Sequence, residues 1–198
     1  MLVPVKAFAQ AKRRLGPTLS DAERVALARL MAAHVLSAAD PLPVCVACDD
    51  PGVAAFAEAH GAHVAWTPGL GLNGAVEAGV ATLAALGADY VTVVHADLPT
   101  AAGIGRIEHF EGVTIAPDRR HTGTNLLRVP TSAGFTMCFG RDSFRRHVEE
   151  SERRGLAHQV LERDDLAFDV DEPEDLVALP MQNGGAPKGP SVSNDAAD

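Results

Sequence analysis

The stretch Tyr90-Val91-Thr92-Val93-Val94 followed by His95-Ala96-Asp97-Leu98-Pro99 constrains the fold of this chain more than any other. Five consecutive β-branched or aromatic residues, largely apolar, describe an inner strand covered on both faces, as in a parallel sheet flanked by helices. The strand delivers Asp97 at its carboxyl end. In an open α/β sheet that is where ligand crevices form, and a carboxylate there holds a divalent ion or a substrate hydroxyl, or else caps the turn that follows.

The surrounding sequence alternates in the same rhythm. Leu2 to Val5 reads as a first strand, and Ser20 with Glu23 forms a capping box for a helix through about Ala39. Val44 to Cys48 is a second strand, followed by a short helix from about Val53 to His60, a strand over Ala62 to Trp66, and a helix over Val76 to Leu86. Beyond Asp97, Ile104, Ile107 and Phe110 stand at helical spacing. Val113 to Asp118 and Leu126 to Val129 read as strands, the second turning back, and Phe135 to Gly140 as a strand or turn leading into a helix over 141–150. With 198 residues, 46% of them apolar, there is room for one sizeable core, and residues 1–180 are expected to form one domain. The composition of 181–198, rich in Gly, Pro, Ser and Asn, predicts a disordered tail.

Charge and cysteine usage exclude several classes. A net charge of −9 argues against a general nucleic-acid binder. The chain has neither an 18-residue apolar run nor a signal-peptide pattern, so a cytoplasmic protein without a membrane partner is expected. Cys45 and Cys48 have CxxC spacing but lie in an apolar strand-like run, and Cys138 is left over; buried structural thiols are expected rather than a zinc or redox site. Charge is also segregated. Residues 1–40 carry six basic and three acidic side chains, whereas 161–198 carry two and ten, a distribution suited to phosphates held between cations and metal-bound carboxylates.

Five segments carry groups able to do chemistry. The loop after the first strand bears Lys6, Lys12, Arg13 and Arg14, a candidate triphosphate clamp without the glycines of a P-loop. Residues 67–75 are glycine-rich, and Asn73 could present its amide to a base or ribose. The polar turn 118–125 includes Gly123 and Thr124, whose hydroxyl and N–H suit an anion. Gly140 and Ser143 open a helix, where free N–H groups hold carboxylate or phosphate unless Ser143 serves only as a cap. Asp169 and Asp171, two apart on an extended segment, face the same way in a metal-ligand arrangement.

Taken in order, Val3-Pro4-Val5-Lys6, Ala11-Lys12, Arg14-Leu15, Gly71-Leu72-Asn73, Asp97-Leu98-Pro99, Thr122-Gly123-Thr124-Asn125, Phe139-Gly140 to Ser143, and Asp169-Val170-Asp171 with Pro173 resemble the 2-phospho-L-lactate and phosphoenolpyruvate guanylyltransferases of coenzyme F420 biosynthesis. The resemblance implies a single-domain α/β fold of the Rossmann-like nucleotidyltransferase (GT-A-like) type, with a mixed, mostly parallel sheet flanked by helices. It also implies Mg²⁺-dependent transfer of GMP from GTP to 2-phospho-L-lactate, phosphoenolpyruvate or 3-phosphoglycerate, with release of pyrophosphate and passage of the product to the next enzyme of that pathway.

Carried over residue by residue, the resemblance gives Asp97 and Asp169 as metal-binding acids, with Asp171 as a further metal partner. Lys6, Lys12 and Arg14 become the catalytic triphosphate clamp alongside Asp97. Leu72 and Asn73 lie near the nucleotide, and Thr124, Gly140 and Ser143 hold the acceptor. One departure stands out: the family usually has Gly before Asp-Leu-Pro, and this chain has Ala96. Competing readings are a nucleotidyltransferase with a molybdopterin or sugar-phosphate acceptor, a non-catalytic nucleotide-binding protein, and a receiver-like signalling domain, which leaves the early basic loop unexplained.

Overall fold

The computed structural model describes residues 1–179, so the expected tail lies outside the described residues. Seven strands form one sheet: β1 Leu2–Pro4, β2 Cys45–Cys48, β3 His63–Trp66, β4 Tyr90–Val94, β5 Val113–Pro117, β6 Thr124–Pro130 and β7 His158–Val160. Their order across it is β3-β2-β1-β4-β6-β5-β7. Strands β1 to β4 run parallel, as do β5 and β7, while β6 lies antiparallel to both β4 and β5. The sheet is therefore mixed.

Helices α1 (Asp21–Ala38) and α2 (Pro51–Ala59) cover one face, α3 (Gly71–Ala85) and α4 (Ser143–Arg153) the other, and α5 (Asp164–Ala167) and α6 (Pro173–Ala178) are short late turns. Alternation along the strands fills both faces. Val3, Val46, Cys48 and Val94 pack with Ala32, Val35, Val53 and Phe56, whereas Leu2, Cys45, Ala47, Val91 and Val93 pack with Ala75 and Val76. Cys45 and Cys48 thus point to opposite faces of β2, each a buried free thiol. None of the helices among the described residues is long and apolar enough to cross a membrane.

Several boundaries differ from those read in the sequence, each for a local reason. Helix α1 begins at the expected capping box, with Ser20 and Glu23 exchanging hydrogen bonds. Helix α3 starts at Gly71 rather than Val76, because Gly71 adopts a φ of +65° and turns the glycine-rich loop directly into the helix. The spacing of Ile104, Ile107 and Phe110 yields only a 3-10 turn over Ile104–Arg106. There a Cβ on Gly105 would come within 1.9 Å of the Ala39 carbonyl, so the segment is pressed against the end of α1. Residues 135–140 form no strand and run over the second face as coil that buries Phe135, Met137 and Phe139, and β7 is a short strand that the sequence pattern does not show.

The coil at 135–140 is fixed by α4. Glu150 accepts from the Thr136 N–H at 3.0 Å, from Arg153 at 2.7 and 2.6 Å and from Arg154 at 2.9 Å. Burial alone would raise its pKa, but these donors outweigh it and bring the carboxyl from 4.5 down to about 2. Because the folded value is the lower one, its stabilisation is complete above about pH 4.5 and lost as pH falls toward 2. Replacing Glu150 with Gln is expected to cost about 2 kcal/mol at pH 7, with the deficit vanishing near pH 2, measured by urea unfolding across that range.

Candidate functional site

The parallel strands leave β1 in opposite directions, β2 on one side and β4 on the other, so the strand order reverses between β1 and β4. A crevice opens outside the carboxyl ends of strands at such a point. Here it is a cleft of about 870 Å³, the size of a nucleotide-scale ligand site. Its walls come from the loop after β1, the end of β4, the turn between β5 and β6, the start of α4 and the segment before α6.

Lys12 occupies the centre of this cleft. Its Nζ donates to Asp97 Oδ2 at 2.5 Å and to Asp171 Oδ1 at 2.8 Å, and its side chain is only 8% exposed. Burial opposes the charge, yet the two carboxylates reverse that effect and hold the Lys12 pKa above its ordinary value. Asp97 shows the mirror image: burial would raise it, and Lys12 brings it below the carboxylate range. Lys12 reaches this position from a backbone at φ 53°, in the left-handed region. The buried Arg24 braces the preceding residue by donating to the Ala11 carbonyl at 2.8 Å.

Asp169 and Asp171 lie on the same side of their segment, because Val170 between them is fully buried with Leu15 and Met31. The Val170 N–H points to the Asp97 carbonyl at 3.4 Å, which brings the segment alongside β4. Unlike Asp97, Asp169 is pushed up, first by burial and then by the negative charges of Asp97 and Asp171. The segment is anchored from α6: Asp175 accepts the Asp171 and Glu172 N–H groups at 2.8 Å each and pairs with Arg119, whose guanidinium also lies over Phe168. Arg14 reaches the same segment at Glu172, 3.0 Å away.

The opposite wall is built around two turns. Asp118 accepts from the N–H groups of Arg120, Thr122 and Gly123 at 2.8–3.1 Å and from the Thr122 hydroxyl at 2.9 Å, closing the turn from β5 into β6. A Cβ on Gly123 would fall 2.9 Å from the Asp118 Oδ2, so the turn needs glycine there. Thr124 follows, buried, with its hydroxyl 3.0 Å from His147 Nδ1. Gly140, at φ 115°, and the buried Ser143 complete this wall.

Of the residues expected at the site, Lys6, Lys12, Arg14, Leu72, Asp97, Thr124, Gly140, Ser143, Asp169 and Asp171 all line the cleft. Asn73 does not. Its amide is spent on Phe139, accepting from that N–H at 2.8 Å and donating to that carbonyl at 3.1 Å, so it ties α3 to the coil before Gly140. Asp97 and Asp171, both expected at the metal, are each engaged by Lys12, and among the described residues no three His, Cys, Asp or Glu side chains are gathered as a metal cage. Ala96 is accommodated, packing partly buried against the core on the α1 and α2 face of the sheet.

The family model described as guanylyl transferase CofC like matches residues 1–188. The chain belongs to this family. Among other CofC-like relatives, it is 36% identical to a phosphoenolpyruvate guanylyltransferase of Sphaerobacter thermophilus, over 96% of this chain and 95% of that one. It is 35% identical to a 3-phospho-D-glycerate guanylyltransferase of Phenylobacterium zucineum (90% and 88% covered) and 33% identical to a 2-phospho-L-lactate guanylyltransferase of Methanothermobacter thermautotrophicus (93% and 85%). In fold, it is similar to a nucleotidyl transferase from the last organism, with a TM-score of 0.61 at 12% identity over 89% of this chain and 93% of that one.

Arg24, Asp175 and His147, which no sequence motif singles out, brace this cleft together with Arg119 of the polar turn. The spacing of Glu172 and Asp175 around Pro173 was the available signal for a capping box. The Arg119–Asp175 pair joins segments 56 residues apart, and the contacts of Arg24 and His147 depend on how a loop or coil lies against its helix. Lys12→Met removes the cation shared by Asp97 and Asp171 and is expected to cost about 2 kcal/mol at pH 7 by urea unfolding. That is less than a fully buried pair would lose, since the Asp171 side chain is 48% exposed.

Proposed function

We propose that this chain is a Mg²⁺-dependent guanylyltransferase that moves GMP from GTP to the phosphate of a three-carbon phospho-acid and releases pyrophosphate. Membership of the CofC-like family supports the reaction class, and the acceptors named for its relatives supply the substrate class. The observation that carries the reading is the pairing of one buried lysine with the acids at the switch point of the sheet. On this reading the fold is GT-A-like and the product passes to the next enzyme of coenzyme F420 biosynthesis.

The acidic side of the cleft fits a hard cation. Asp97 Oδ1 is buried without a hydrogen-bond partner among the described residues, and Asp169 lies close enough to Asp97 and Asp171 for their charge to raise its pKa. Two carboxylate oxygens facing a phosphate site are the protein share that Mg²⁺ ordinarily takes, its other positions being filled by water and phosphate. Asp97 and Asp169 would hold it. When bound, the ion neutralises charge on the phosphates.

The chain's own residues do the rest. Lys6 and Lys12, with Arg14 at the rim, neutralise the triphosphate, and Thr124, Gly140 and Ser143 orient the acid. The acceptor phosphate is already a strong anion near neutral pH, so its oxygen attacks the α-phosphorus without a general base. The bond from that phosphorus to the bridging oxygen breaks, and pyrophosphate leaves. Alignment and charge neutralisation account for the catalysis.

The test is pyrophosphate release with Mg²⁺, pairing GTP or ATP with phosphoenolpyruvate, 2-phospho-L-lactate and 3-phospho-D-glycerate. Turnover with GTP and one acid is expected; no turnover with any pairing would overturn the assignment. Asp97→Asn is expected to lower kcat by at least about 100-fold in the same assay while the protein remains folded.

A further inference from the structure

The buried imidazole of His147 takes no part in the proposed reaction as set out above, and its two nitrogens are both engaged. Nε2 lies 3.0 Å from the Cys138 backbone nitrogen, and Nδ1 lies 3.0 Å from Thr124 Oγ1. A backbone N–H can only donate, so Nε2 must carry a lone pair. In the neutral ring the proton is then on Nδ1, which donates to the Thr124 oxygen. That leaves the Thr124 hydroxyl hydrogen free to turn away from His147, and Thr124, though buried, is one of the residues lining the cleft.

The ring is also fixed in place. It is fully buried on α4 and packs against Phe135 and Phe139, with ring centroids at 6.0 and 4.8 Å. Through Cys138 it holds the coil leading to Gly140, and through Thr124 it holds the start of β6. One side chain therefore sets the spacing between two parts of the acceptor wall. Burial first, with the neighbouring Arg146 and His95 adding to it against an opposing Glu150, lowers its pKa to about 4 and keeps the ring neutral at physiological pH.

We propose that His147 is a positioning residue for the acceptor: protonated at Nδ1, it fixes Thr124 as a hydrogen-bond donor toward an anionic oxygen of the phospho-acid. This rests on the proposed guanylyltransferase reading. A neutral threonine hydroxyl left to itself presents a donor or a lone pair equally well; with its oxygen already accepting from His147, it presents the donor. A carboxylate or phosphate oxygen, which only accepts, is matched by that polarity.

Two substitutions separate the roles of the two nitrogens. His147→Gln can keep an acceptor near the Nε2 position for Cys138 while losing the donor to Thr124. It is expected to raise KM for the phospho-acid about tenfold with KM for GTP unchanged, a loss typical of one hydrogen bond to a charged group. His147→Asn can keep a donor near the Nδ1 position and lose the acceptor, so KM for the acid should stay within about twofold of wild type while the unfolding midpoint falls. Once Thr124 is Val, His147→Gln should add nothing further to KM, because its effect runs through the hydroxyl.

A rise in both KM values together, or a full additional effect of His147→Gln in the Thr124→Val background, would overturn the proposal. A second measurement does not depend on turnover. Long-range ¹H–¹⁵N spectra of the wild-type protein at pH 7, with the His147 signals assigned by their loss in His147→Gln, should show a neutral ring protonated at Nδ1. A ring protonated at Nε2, or at both nitrogens, would overturn the inference even if every phospho-acid failed as a substrate, the outcome that would count against the guanylyltransferase reading.

Discussion

One charge constraint governs the site: three aspartates converge where the strand order reverses, and Lys12 is placed between two of them. Carboxylates gathered in a partly buried cleft repel one another and lose hydration, so the arrangement is stable only with a cation among them. Lys12 supplies one. Asp97 is lowered by it, while Asp169, which has no cation partner among the described residues, is raised by burial and by its acidic neighbours.

The surrounding structure holds this arrangement in place. Arg24 clamps the backbone before Lys12, Val170 buries the residue between the two late acids, and Asp175 with Arg119 fixes the loop from behind. The Lys12 pairs themselves are long-range, spanning 85 residues to Asp97 and 159 to Asp171. The sheet makes them possible by bringing the ends of β1 and β4 together, with the β5–β6 turn facing them. On the proposed reading, the acidic side receives the metal and triphosphate and the Thr124 side the acid.

Much of this was legible in the sequence. The strand before Asp97, the capping box at Ser20 and the alternation of strands with helices rest on local patterns, and local patterns survived folding. The acids at 169 and 171 were readable because a period of two and a buried Val170 put both on one side. What could not be read was pairing at a distance. Nothing local says that Asn73 turns to Phe139, that Asp171 meets Lys12, or that His147 joins Thr124 to Cys138. Similarly, the helical spacing after Asp97 was overridden by the close approach of Gly105 to the end of α1.

The most direct test of the account follows the phosphorus atoms of GTP. Incubation with Mg²⁺ and the phospho-acids, using GTP labelled separately at the α- and γ-phosphates, should move the α-label into a product joined to the acid and the γ-label into pyrophosphate. Release of the γ-label as inorganic phosphate, with the α-label remaining in GDP, would contradict guanylyl transfer and make the cleft a site of simple hydrolysis.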